Sequence, residues 1–144
     1  MLLNQMLPRS VAKALKQGQV VPPESFDSVT IYFSDVVGFT SFSESREPEY
    51  IVALLNEYLA AMSEVIFSWE GTLDKFVGDE IMVFWGAPLD QEDHAERALG
   101  CARDMMIRLR ELHEKWEKEG LELLMHGIGI NTGDAVVGNI GAEG

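Results

Sequence analysis

The chain has 144 residues, 47% hydrophobic and 24% charged, which is one domain's worth of ordinary globular sequence and excludes wholesale disorder. Its 24 acids against 11 bases leave a formal charge of −13, which excludes nucleic-acid binding through a basic surface and requires an anionic ligand to bring a cation with it. The single cysteine, Cys101, excludes an internal disulfide and fits a reducing compartment.

Taken in order, Leu2 to Gln17 carries Leu3, Val11 and Leu15 at helical spacing, and Gly18 stops it. Val20-Val21-Pro22-Pro23-Glu24-Ser25 is a stiff linker, because two prolines remove donors and hold φ. The expected division is a connector over 1–25 and a domain over 26–144. The start lacks a signal peptide's basic and long apolar regions, and no uninterrupted apolar run approaches the roughly eighteen residues of a membrane span. The expectation is a soluble, cytoplasmic chain without membrane contact.

Val29 to Phe33 is a β-branched and aromatic run that ends at Asp35. Glu47 to Trp69 then sustains a helical stripe through Leu54, Leu55, Tyr58, Met62, Val65 and Ile66, with Gly71 as its stop. Thr72–Val77 and Ile81–Trp85 read as a hairpin around Gly78-Asp79-Glu80. Asp90 is placed to cap a second helix, with Glu92 and Asp93 in its first turn, a stripe from Ala95 to Trp116, and Gly120 as its end. Leu123–Thr132 and Ala135–Ile140 read as two further strands joined at Gly133-Asp134. Strand, helix, strand, strand, helix, strand, strand contains a split βαβ unit, so the expected class is α+β. The fold is a ferredoxin-like, palm-type antiparallel sheet with helices on one face.

In that topology the first strand and the hairpin are central neighbours, which brings Asp35 and Asp79 to one sheet edge. Alone, Asp35 also reads as a helix cap, and Asp79 reads first as a turn former. Two converging carboxylates suit hard divalent cations, and Gly38-Phe39-Thr40 offers free backbone N–H groups to a phosphate beside them. His94, His113 and His126 are not arranged as a ligand set and read as structural. Cys101 reads as core. Arg103, Arg108, Arg110, Lys115 and Lys118 alternate with acids as a solvated, paired face.

Phe33-Ser34-Asp35-Val36-Val37-Gly38-Phe39-Thr40, Asp74-Lys75-Phe76-Val77-Gly78-Asp79, Phe84-Trp85-Gly86-Ala87-Pro88, Gly127 to Gly133 and Val137 to Gly141 together resemble the class III nucleotidyl cyclase catalytic domain. Leu3 to Gly18 resembles the connector that precedes such domains in receptor-type cyclases. The resemblance implies cyclisation of ATP to 3′,5′-cyclic AMP and pyrophosphate, with two Mg²⁺ or Mn²⁺ ions per site. It also implies a homodimer through the catalytic domain and an upstream sensor.

By the same resemblance, Asp35, Asp79 and the Val36 carbonyl hold the metals, and Gly38, Phe39 and Thr40 hold the triphosphate. Lys75 matches the base-selecting position. A lysine donates to adenine N1, whereas guanine offers N1–H and an amino group that call for an acceptor. Donation to guanine O6 or N7 keeps a guanylyl cyclase as the alternative, and a non-catalytic dimerisation module or a more distant palm-type enzyme are further ones. The family pattern continues with an Asn, an Arg, a second base-contacting residue and a Lys that residues 1–144 do not contain. The expectation is that this stretch alone has little or no activity.

Overall fold

A computed structural model of the chain describes residues 24–137. The expected helix over 2–17, most of the proline linker and the last residues lie outside the described residues. The elements are β1 (Glu24–Val36), α1 (Phe39–Glu44), α2 (Pro48–Ser68), β2 (Thr72–Val77), β3 (Glu80–Trp85), α3 (His94–Lys118) and β4 (His126–Val137). The strands form one antiparallel sheet in the order β2-β3-β1-β4. This is the ferredoxin-like arrangement the element order implies, with β1 and β3 at its centre.

Alternation fixes which side is covered. Tyr32, Ser34 and Val36 of β1 and Ile81, Val83 and Trp85 of β3 are buried, whereas Phe33 is 43% exposed and Asp35 is open to solvent. The inward set packs on Leu54, Tyr58, Met62 and Ile66 of α2 and on Cys101, Met105, Leu112 and Trp116 of α3. The other face of the sheet carries no helix among the described residues.

By length and composition α2 could cross a membrane, its window having a mean hydropathy of 1.4. The expectation concerned an unbroken apolar run, and α2 has none, because Glu49, Glu57 and Glu64 interrupt its stripe. In this fold the stripe packs on the sheet.

Helix ends depart from the sequence reading in two places. α2 closes with Gly71 N–H donating to Ile66 O (3.1 Å) and Glu70 N–H to Phe67 O (3.0 Å), yet the left-handed residue is Glu70, at φ 57°. Gly71 serves packing instead: a Cβ there would lie 2.8 Å from Val83 Cγ1 and 2.9 Å from Trp85 Cζ2. α3 starts at His94 with Asp93 as N-cap, not Asp90, and only Glu96 is an acid of its first turn. Gln91 precedes that start and is buried. It turns inward, accepting from Gly86 N–H at 2.7 Å and donating Nε2–H to Glu70 O at 3.1 Å.

The hairpin expected at Gly133-Asp134 is absent. β4 runs through it and stays paired with β1, with Val29 opposite Gly133 and Phe26 opposite Ala135. A two-residue hairpin turn needs positive φ, which Gly133 does not adopt. The irregularity is taken up by a bulge in β1, where Asp27 and Ser28 face Asp134 alone.

Candidate functional site

The site stands where β1 ends. Asp35 projects from the uncovered face, opposite Gly127 of β4, and a Cβ on Gly127 would sit 3.7 Å from Asp35 Oδ1. Asp79 occupies the two-residue turn between Val77 and Glu80, whose first position, Gly78, has φ 60°. That is the turn geometry in which glycine is favoured at the first central position. Asp79 Oδ2 accepts the Val36 backbone N–H at 2.8 Å, so the hairpin tip is fastened to the end of β1 and the two acids share one edge. Asp79 keeps its second carboxylate oxygen, and Asp35 is exposed.

The turn that follows is held from both sides. Val37 N–H donates to Met125 O (2.8 Å), Gly38 takes φ 68° as N-cap of α1, and Phe42 N–H donates to Gly38 O (3.0 Å). Phe39 packs partly on the core and Thr40 is exposed. Lys75 occupies β2 opposite Met82; its side chain lies outside what the structure describes.

Beneath this edge lies a polar cluster that the sequence reading did not single out. The Tyr58 hydroxyl lies 2.9 Å from His126 Nδ1, with the rings edge to face. Burial, with the Asp79 and Asp35 carboxylates adding to it, pushes the Tyr58 hydroxyl well above its ordinary pKa. Tyr58 therefore stays protonated, and the hydrogen bond between its hydroxyl and Nδ1 runs in the direction the imidazole tautomer sets. Burial and His113 lower the His126 pKa, which favours the neutral ring. His126 Nε2, Ser34 Oγ and Tyr32 OH are buried, with no hydrogen-bond partner among the described residues. The available signal was parity: Tyr32, Ser34 and His126 occupy inward positions of their strands, where apolar residues are the rule.

The other histidines hold structure, as read. His94 Nδ1 and Nε2 lie 2.7 Å from Thr30 Oγ1 and 3.1 Å from Ser28 Oγ, and His113 Nε2 donates to Leu124 O at 2.6 Å. Cys101 is in the core, and burial, reinforced by Asp104, pushes its thiol up to about 12. On α3, Arg108 pairs with Glu111, and Lys115 with Glu57 and Glu119. Among the described residues no group of three or more His, Cys, Asp or Glu side chains converges. What the edge offers is two carboxylates, with backbone groups beside them.

A ferredoxin-like, palm-type sheet with two acids at the end of its central strands and a glycine turn beside them defines the class of the domain. Within that class, a family model of the adenylate and guanylate cyclase catalytic domain matches residues 21–144, and the chain belongs to that family. It is 41% identical over 115 residues to adenylate cyclase 1 of Rhizobium meliloti (strain 1021), covering 80% of this chain and 17% of that protein. The crystal structure of the guanylyl cyclase Cya2 superposes with a TM-score of 0.78 at 46% identity, over 87% of this chain and 62% of that one. The adenylyl cyclase CyaB from P. aeruginosa gives 0.79 at 39%, over 85% and 63%. The chain thus spans under a fifth of the curated relative and under two thirds of the crystallised domains.

Proposed function

We propose that the protein carrying this chain is an adenylyl cyclase, converting ATP to 3′,5′-cyclic AMP and pyrophosphate. The observation that carries the reading is the 2.8 Å bond from Val36 N–H to Asp79, which joins the hairpin tip to the β1 end bearing Asp35. The donor set fits Mg²⁺ or Mn²⁺, which take one or two carboxylates and complete their shell with water and phosphate oxygens. Asp35, Asp79 and the Val36 carbonyl are the groups that would hold them. When bound, such ions supply Lewis acidity toward the ribose 3′-hydroxyl and neutralise phosphate charge.

The chain's own residues do the positioning. Gly38, Phe39 and Thr40 present backbone donors to the triphosphate, and the left-handed Gly38 lets the chain turn back beside the carboxylates. Lys75 donates to the base, which favours adenine. The polyanion reaches this acidic chain only with its cations, in keeping with a formal charge of −13. Assembly as a homodimer, an upstream sensor and a cytoplasmic site belong to the same proposal.

The relatives divide between the two nucleotides, and the 46% identity to the guanylyl cyclase Cya2 makes cyclisation of GTP the second reading. The deciding experiment is a cyclase assay on the parent protein with ATP or GTP and Mn²⁺. Cyclic AMP formation abolished by Asp35→Ala supports the proposal. Predominant cyclic GMP formation moves it to the second reading, and metal-independent or absent nucleotide binding would leave a non-catalytic module.

A further inference from the structure

None of the residues of α1 is buried, and no side chain among the described residues caps its N-terminus. A six-residue helix of this kind does not hold its own position. Beyond the partial packing of Phe39 and Phe42 on the core, it is held by a pair of ties to one short segment, Leu121–Met125, between α3 and β4. At the near end Val37 N–H donates to Met125 O. At the far end Arg46 meets Glu122 in a two-pronged pair, Nε to Oε1 and Nη2 to Oε2, both at 2.6 Å.

Arg46 also reaches back into α1. Its Nη1 donates to Phe42 O at 3.3 Å and to Ser45 Oγ, and its guanidinium lies 4.9 Å from the centroid of the Phe42 ring. Glu122 is fixed in turn, because its backbone N–H donates to the Tyr50 hydroxyl at 3.0 Å, and Tyr50 packs against Phe42. Planar, forked pairing of this sort orders both partners far better than a single exposed ion pair. Residues 38–45 are therefore a loop clamped at both ends to the same piece of chain.

We propose that Arg46 and Glu122 form a latch that positions the Val36–Thr40 turn for the triphosphate, so that opening it weakens nucleotide binding while the domain stays folded. The inference rests on the nucleotide reading above and adds two positioning residues that touch no reacting atom. The latch acts through Phe42 and the α1 backbone. It leaves Asp35, Asp79 and their bond to Val36 in place.

The test compares the wild-type chain with Arg46→Glu, Glu122→Arg and the double swap. Amide exchange over residues 39–46 is measured without ligand, binding of ATP with Mn²⁺ by calorimetry, and stability by urea denaturation. Each single variant is expected to speed exchange in 39–46 by about two- to fivefold and to weaken ATP binding by a similar factor. Exchange in β1 and α2 should be unchanged, and the double swap should recover both readouts. Unchanged exchange in the single variants would overturn the latch, as would faster exchange with undiminished ATP affinity, or a double swap no better than either single. Failure of the wild-type chain to bind ATP with Mn²⁺ overturns the nucleotide reading, and the proposal with it. That result is distinct from wild-type binding that the variants do not alter.

Discussion

The two acids of the edge have different structural duties, and this separates them experimentally. Asp35 is exposed, whereas Asp79 is half-buried and accepts the Val36 N–H. A hydrogen bond to a charged group contributes about 1.5–3 kcal/mol net, and partial exposure brings that to about 1–2 kcal/mol. Asp79→Ala should therefore lower stability by about 1–2 kcal/mol, or about 3–6 °C in Tm for a chain of this size. Asp35→Ala removes one exposed negative charge from a chain of formal charge −13 and should leave stability within about 0.5 kcal/mol. Asp79→Asn retains a carbonyl oxygen for Val36 and should recover at least half of the loss.

Metal binding should rank the same variants differently. All three should lose Mn²⁺ affinity in the presence of ATP, read by electron paramagnetic resonance of free Mn²⁺. Urea denaturation supplies the stability order through the midpoint at constant m. Equal stability of Asp79→Ala and Asp35→Ala would refute the fastening role of Asp79. Wild-type Mn²⁺ binding by Asp79→Asn would refute the carboxylate's assignment to metal.

Gly100→Ala should destabilise, although alanine favours a helix by about 1 kcal/mol. The new Cβ would lie 2.7 and 2.8 Å from the Trp69 ring, whose indole is tethered to Asp104 at 2.9 Å, and overpacking of this kind costs about 1–3 kcal/mol; a raised urea midpoint would count against this. With its thiol pushed up to about 12 and buried, Cys101 should resist a thiol reagent at about pH 8 and react only as fast as the protein opens; rapid labelling of folded protein would contradict the burial. The Lys115 and Trp116 hydrogen bonds hold the Glu57 carboxyl below its ordinary range. A lowered folded-state pKa adds stability above the ordinary glutamate pKa that is lost as pH falls below it. The stability difference between wild type and Glu57→Gln should thus be flat near neutrality and shrink below about pH 4, and growth of the gap on acidification would refute the sign.

Periodicity made most of the architecture legible. The stripes from Leu54 to Ile66 and from Ala98 to Trp116 are the buried faces of α2 and α3, and the alternating β3 is a half-covered strand. Punctuation was less legible, because glycine and acidic residues serve several purposes. Gly71 looks like a helix stop but is small for Trp85's sake, and Gly133-Asp134 looks like a turn but extends a strand. Asp90 looks like a cap, yet the helix begins at His94, after Gln91, which no local rule marks, has turned inward. Arg46 and Glu122 are 76 residues apart, and nothing in either neighbourhood announces their pairing.

The candidate site was legible because it follows from the register of the strands. β1 carries buried Tyr32, Ser34 and Val36 on one face and Phe33 and Asp35 on the other, so the alternation that builds the core also projects the first acid outward. Asp79 reaches the same edge only because β3 pairs with β1 from Ser34 opposite Ile81, which leaves the two-residue turn beyond Glu80 level with Val36. A one-residue slip of β3 would turn Ile81, Val83 and Trp85 out of the core and carry Asp79 away from Val36. Hydrophobic burial therefore guards the spacing of the two carboxylates more strongly than any interaction at the edge, where the bond to Val36 contributes about 1–2 kcal/mol. Such an edge tolerates loss of either acid without losing the fold, and the domain should survive as a folded protein even where its chemistry is gone.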